Sequence, residues 1–179
     1  MLNTTLSFKG DFLCEVALPN REISLVYNKE ILQRMENIIP QATAISIQEA
    51  AFSGDHKRLK SQLQMMLTQS VSFFDTVGEN FYHGFMLGLC ALMSGTFVTS
   101  NRESGDGRYD IQLKPIRKGL PGILIELKAG KNCSDEELKN MSEAALKQIT
   151  DKKYDTEMKN AGIQTIYKYG VASVGKTWM

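Results

Sequence analysis

The sequence predicts an α/β fold in which a helical annex precedes a core ordered helix, three strands, helix, strand. Three observations carry this prediction. Arg108-Tyr109-Asp110-Ile111-Gln112-Leu113 alternates, Gly122-Ile123-Leu124-Ile125-Glu126-Leu127-Lys128 is a short apolar run, and the turn residues between them, Lys118 to Gly122, join the two as a β-hairpin. Residues 79–93 are apolar on nearly every side, the pattern of a buried helix. Residues 165–174 concentrate β-branched and aromatic side chains, which suit a strand.

In chain order, residues 1–18 alternate loosely around a strand near Phe12 to Val16. Pro19-Asn20 then reads as a turn capping a helix over residues 21–38, which Pro40 stops. Ser46 followed by Glu49 is a capping-box pattern opening a short helix, Gly54 is its stop, and Asp55 caps the next helix. On that helix Leu59, Leu63, Met66 and Leu67 recur at helical spacing, a core stripe rather than a cofactor site. These elements form an N-terminal strand, turn and helical subdomain over residues 1–75, leaving residues 76–179 for the core.

Within the core, Gly84, Gly88 and Ala91 are small gaps through which the first helix is expected to lie close to a sheet. Gly95 ends that helix, residues 96–100 form a strand, and residues 101–107 form a polar loop before the hairpin. Ser134 with Glu137 makes a second capping box, opening a helix that reaches about Tyr154.

Composition bounds the function only loosely. A net charge of +1 supplies no global basic field, so any nucleic-acid binding has to come from local placement of Lys and Arg. Cys14, Cys90 and Cys133 form no CxxC pair, which argues for reduced thiols, a cytoplasmic setting and no zinc site. No apolar run is long enough to cross a bilayer, and the N-terminus lacks a signal-peptide layout.

The chemistry concentrates in the hairpin. Side chains alternate along a strand, so Glu126 and Lys128 share a face, and a register centred on the turn sets Asp110 across from Glu126 or Lys128 on that face. Magnesium or manganese wants oxygen ligands, and Asp110, Glu126 and the Leu127 carbonyl form a sufficient set, with Lys128 beside them to position a nucleophile or stabilise developing charge. The alternative for the same residues is a solvated face with an ordinary cross-strand ion pair.

Five blocks extend this pattern: Glu79-Asn80-Phe81-Tyr82-His83-Gly84-Phe85; the run from Ser100 to Ile111; Ile125-Glu126-Leu127-Lys128-Ala129; Ala145-Leu146-Lys147-Gln148-Ile149 with Lys152 and Tyr154; and Tyr169-Gly170-Val171-Ala172. Leu18-Pro19-Asn20-Arg21-Glu22-Ile23 precedes them. Together, in this order, they resemble the PD-(D/E)XK nuclease superfamily, and within it the bacterial group usually found C-terminal to an AAA-type ATPase-like domain. The resemblance implies a restriction-endonuclease-like αβββαβ core with a mixed sheet and metal-dependent hydrolysis of DNA or RNA phosphodiesters. It also implies metal ligation by Asp110 and Glu126, a catalytic Lys128, and additional site residues in Glu79 and Gln148. An AAA-type ATPase domain is the implied partner, and its absence from the chain suggests a fragment or a stand-alone relative. Tyr109 stands where the family's motif often has Pro, and Lys152 stands where RecB-like members have Tyr, with Tyr154 two residues beyond. The alternative function is a catalytically silent nucleic-acid-binding or regulatory domain serving an AAA-type ATPase.

Four further features stay open at this level. Glu79 is equally a first-turn acid complementing the helix dipole. His83, one turn on, faces the site or is a hydrogen-bonded core residue, and Gln148 is a site or a surface residue. Arg102, Glu103 and Arg108 touch phosphate or form a local ion-pair cluster. Residues 170–177 match the P-loop pattern letter for letter, but they fall largely within an expected strand with no helix to follow, so no nucleotide site is expected there.

Overall fold

The computed structural model describes residues 4–7, 13–16, 41–70, 79–175 and 177–179. The turn at Pro19-Asn20 and the helix expected over residues 21–38 lie outside them. The chain divides into two compact units, Met1–Pro40 and Gln41–Met179. In the first, β1 (Thr4–Ser7) pairs antiparallel with β2 (Leu13–Val16), with Leu6 opposite Cys14.

The second unit is built on a five-stranded sheet ordered β3-β4-β5-β6-β7, comprising β3 (Thr96–Ser104), β4 (Gly107–Pro115), β5 (Gly122–Ala129), β6 (Ile166–Val174) and β7 (Thr177–Trp178). Neighbours are antiparallel except β5 and β6, which run parallel and therefore need a crossover. Helix α4 (Asp135–Asp151) and the short α5 (Thr156–Asn160) supply it. Helices α1 (Gln41–Ser53), α2 (His56–Ser70) and α3 (Glu79–Ala91) precede the sheet in the chain.

The helices cover both faces. Ile47, Ala51, Leu59, Leu63, Met86 and Met93 close over Leu113, Ile123, Ile125, Tyr169 and Val171 on one side. On the other, Tyr109 and Leu124 pack with Ile149, Tyr154 and Met158. Burial on two faces is why β5 reads as a continuous apolar run rather than an alternation. The crossover lies very close to the sheet at Gly170, where an added Cβ would stand 2.2 Å from the Ser142 carbonyl oxygen and 2.4 Å from the Leu146 nitrogen. Only glycine admits that approach.

Most elements form where their residues predict. The Ser134–Glu137 capping box is complete in both directions, and Asp55 Oδ1 accepts the Arg58 N–H as an N-cap. Leu59, Leu63, Met66 and Leu67 are all buried. Three readings are corrected. Ser46 and Glu49 lie within α1, which begins at Gln41; instead of capping a helix they receive the Arg58 guanidinium at 3.0 and 2.8 Å. Gly84 and Gly88 do not mark the approach of α3 to the sheet, since a Cβ at either meets nothing within 4 Å; the buried stripe is Tyr82, Met86, Leu89 and Cys90. The expected polar loop is mostly strand: β3 continues to Ser104 and returns through Gly105-Asp106 to Gly107, with Gly105 at φ 62°. Most polar residues there lie on a paired ribbon that meets water, and Asn101 alone on β3 is left out of the pairing. Finally, α5 and β7 were not anticipated.

The P-loop match falls on β6 and its turn into β7, and Tyr82 donates its hydroxyl to the Gly175 carbonyl at 2.6 Å. Among the described residues the match is strand and turn rather than a strand leading into a helix N-terminus, so it does not form a phosphate cradle. Among the described residues no helix is long and apolar enough to cross a membrane.

Candidate active site

The β4–β5 ladder holds only at Leu113–Ile123, Gln112–Leu124 and Ile111–Ile125. Past Ile111 the strands part, and the next opposed positions are Asp110 and Glu126. The Leu127 N–H, beyond the end of this ladder, donates to Asp110 Oδ2 at 2.7 Å. On the other edge of β4 the pairing with β3 skips Asn101 and Asp110, and Asn101 takes φ 52°, a left-handed conformation that Asn tolerates. Face alternation inverts at this break. Leu113 packs toward α1–α3, whereas Tyr109, four residues earlier and due on the same side, packs against Leu124 and Tyr154 on the α4 side. Asp110 thus sits at a kink, paired into neither ladder.

Glu126 lies beneath it, 2% exposed. Its Oε1 accepts from Lys128 Nζ at 3.2 Å and from Gln148 Nε2, while Oε2 is buried with no hydrogen-bond partner. Burial, and then the negative charge of Asp110, push the Glu126 carboxyl up to about 7 against the opposing pull of Lys128. Gln148 also donates to the Tyr154 hydroxyl at 3.2 Å. The tip of the β3–β4 ribbon seats Tyr154 in turn. Ser104 Oγ donates to the Tyr154 carbonyl at 2.9 Å, Asp106 N–H to the Lys152 carbonyl at 2.8 Å, and Gly107 lies against the Tyr154 ring.

A small cleft opens on Asp110, lined also by Asn80, His83, Asn101 and Leu127. His83 Nε2 stands 3.3 Å from the Asp110 carbonyl and 3.4 Å from Asn101 Nδ2. The structure therefore brings together Asp110, Glu126, Leu127, Lys128 and Gln148, and sets His83 beside them. Glu79 is the first residue of α3, one turn before His83, and its side chain is outside the described residues. Arg102 and Arg108 are exposed and make no ion pair among the described residues, so the ion-pair-cluster reading of that ribbon fails.

The donor set is oxygen-rich and suits a hard divalent cation. The buried Glu126 Oε2, which has no hydrogen-bond partner, is the feature a cation would satisfy. Among the described residues no three of His, Cys, Asp and Glu stand close enough to hold a metal.

A profile of the PD-(D/E)XK nuclease superfamily matches residues 77–179. The chain belongs to this superfamily. No curated protein and no solved structure matches it. As a PD-(D/E)XK member it carries the restriction-endonuclease-like core in α3, β3, β4, β5, α4 and β6, extended by α5 and β7. Sequence reasoning named the acids and the Lys of the motif but not Asn101 or Asn80, and it left Tyr154 without a place. A signal for Asn101 was available: an Asn after a β-rich run, four residues before Gly105, is a residue suited to positive φ.

Proposed function

We propose that the chain is a metal-dependent nuclease that hydrolyses phosphodiester bonds of DNA or RNA. One observation carries this reading: at the point where β4 and β5 part, two carboxylates oppose each other and one oxygen of the buried member lacks a partner. Asp110, Glu126 and the Leu127 carbonyl would hold Mg²⁺ or Mn²⁺, with Glu79 as a further acid. Bound there, the ion supplies Lewis acidity and a bound water that ionises near neutrality. Lys128 shares the carboxylate of Glu126 and keeps a third of its side-chain surface open, which lets its remaining N–H groups orient the attacking water and stabilise charge on the phosphoryl oxygens. Gln148 fixes the Glu126 rotamer by donating to the same oxygen as Lys128. Cleavage of labelled single- and double-stranded DNA and RNA with Mg²⁺ or Mn²⁺ tests the proposal. The wild type should cut at least one substrate, and Asp110→Ala and Lys128→Ala should not while retaining the fold; equal activity in all three rejects this site.

The near-complete burial of Glu126 favours a second reading, a catalytically silent nucleic-acid-binding or regulatory domain. Absence of both cleavage and Mn²⁺ uptake in the wild type selects it. In either reading the partner implied by the sequence resemblance is an AAA-type ATPase-like domain, and copurification with such a protein tests that association.

A further inference from the structure

Arg108 stands two residues before Asp110 on β4 and is exposed. Many other cations on this unit are committed: Lys114 to Glu157, Lys153 to Asp106, Lys147 to Asp151, Lys159 and Lys168 to Asp155, and Lys128 to Glu126. Arg108 has no ion pair among the described residues, and Glu103 directly across the ladder does not close on it. Its direction follows from its neighbour. Tyr109 is buried against Tyr154 and Leu124 on the α4 side, so alternation turns Arg108 to the opposite side, the side of α3, whose Asn80 and His83 line the cleft on which Asp110 opens. Arg102, the cross-strand partner of Tyr109, shares the side of Tyr109 instead.

The ribbon that carries Arg108 is firmly seated. An added Cβ on Gly105 would stand 2.3 Å from both the Lys152 and Lys153 carbonyl oxygens, and Asp106 and Ser104 hydrogen-bond to the same turn. A guanidinium on a fixed base loses little freedom when it binds, and its planar fork matches phosphate. Two strand residues span roughly 7 Å, about two base-step rises of a nucleic-acid strand. The described wall of the cleft beside Asp110 carries Asn80, His83 and Asn101. The His83 Nε2 that faces the Asp110 carbonyl must carry a hydrogen to bond it, so it offers no lone pair to the Asn101 amide nitrogen. That amide and Asn80 are left to donate into the cleft.

We propose that Arg108 binds a backbone phosphate of the strand whose neighbouring phosphodiester reaches the Asp110–Glu126 site, with Asn80 and Asn101 lining the path between. The assignment rests on the nuclease reading and adds the residue that holds the substrate in register.

Binding of fluorescein-labelled single-stranded and duplex DNA and RNA oligonucleotides, measured by anisotropy in Ca²⁺ over a series of salt concentrations, tests it. Arg108→Ala should bind about tenfold more weakly than wild type. Its plot of log affinity against log salt should be shallower by roughly 0.7 to 0.9, one phosphate contact. Arg108→Lys should keep the slope and recover part of the affinity, and Arg117→Ala, in the β4–β5 turn at the far end of the sheet, should match wild type. Unchanged binding by Arg108→Ala, or an equal loss in Arg117→Ala, overturns the assignment, as does a wild type that binds none of the probes. Hydrolysis of bis(p-nitrophenyl) phosphate with Mn²⁺ separates the two proposals. Hydrolysis without Arg108-dependent binding rejects only this one, whereas Arg108-dependent binding without hydrolysis of any substrate upholds the phosphate contact at Arg108 and rejects the nuclease.

Discussion

The amide nitrogen of Gln148 donates both to Glu126 Oε1 and to the Tyr154 hydroxyl, so a residue of the crossover helix ties the buried carboxylate to an aromatic ring two turns of chain further on. Partners of this kind orient metal-ligating carboxylates, and their loss typically costs 10- to 100-fold in metal affinity or activity. Gln148→Leu is therefore expected to lower Mn²⁺ affinity by roughly tenfold or more. Tyr154→Phe keeps the ring packing and removes only the hydroxyl, so it should lower affinity by a few-fold and stability by about 1 kcal/mol or less. Calorimetric Mn²⁺ titration beside thermal melts checks both; equal affinities in all three proteins break the chain from Tyr154 to Glu126.

The Glu126 carboxyl ionises near 7, raised from its usual 4.5 by burial and by Asp110. A folded-state pKa above the unfolded one stabilises the protein at low pH; that contribution is complete below about 4.5 and disappears as pH rises through 7. The span corresponds to on the order of 3 kcal/mol. In EDTA the wild type should lose stability between pH 5 and pH 8 relative to Glu126→Gln, which cannot ionise. Divalent-cation affinity should run the other way, falling roughly tenfold per pH unit below 7, because the ion competes with the proton. Parallel melting curves of the two proteins across this range would reject the raised ionisation.

Glycines at matched backbone risk but different surroundings should part sharply. Gly170→Ala drives a methyl into the Ser142 carbonyl and the Leu146 nitrogen, and should cost more than about 3 kcal/mol by lifting α4 from β6. Gly84→Ala, in an exposed position of α3 with open space around its Cβ, should instead stabilise by about 0.5–1 kcal/mol. Urea unfolding of both variants measures the difference.

Gln112 is fully buried, and neither its amide oxygen nor its nitrogen has a hydrogen-bond partner. Replacing such a group by an apolar one of similar shape removes a desolvation penalty of about 1–3 kcal/mol. Gln112→Met is expected to raise stability by about 1 kcal/mol with the fold unchanged, which chemical denaturation reads directly. A loss of stability would mean that the amide is satisfied by an internal water.

Local rules made the centre of the fold legible. Alternation and the apolar run placed the β4–β5 hairpin, and a register centred on its turn set Asp110 across from Glu126 or Lys128. The capping box placed α4, and periodicity marked the buried face of α2. Where polar residues had two uses, local rules misled. Ser46 and Glu49 spell a helix start, yet they serve Arg58 on the next helix. The run after Ser100 spells a loop, yet from Arg102 to Ser104 it is paired strand at the edge of the sheet.

From residue types and spacing alone, the chain settled its α/β class, the order of its core elements, and the acids and the Lys that share the hairpin, because periods of two and 3.6 residues and turn chemistry are local properties. The separation of β4 from β5 at Asp110, the inversion of facing between Leu113 and Tyr109, the chain from Gly105 through Tyr154 and Gln148 to Glu126, and the unpartnered oxygen of Glu126 were decided only in three dimensions. Each depends on segments distant in sequence meeting across the sheet, where burial and electrostatics act on neighbours in space and leave no periodic trace along the chain.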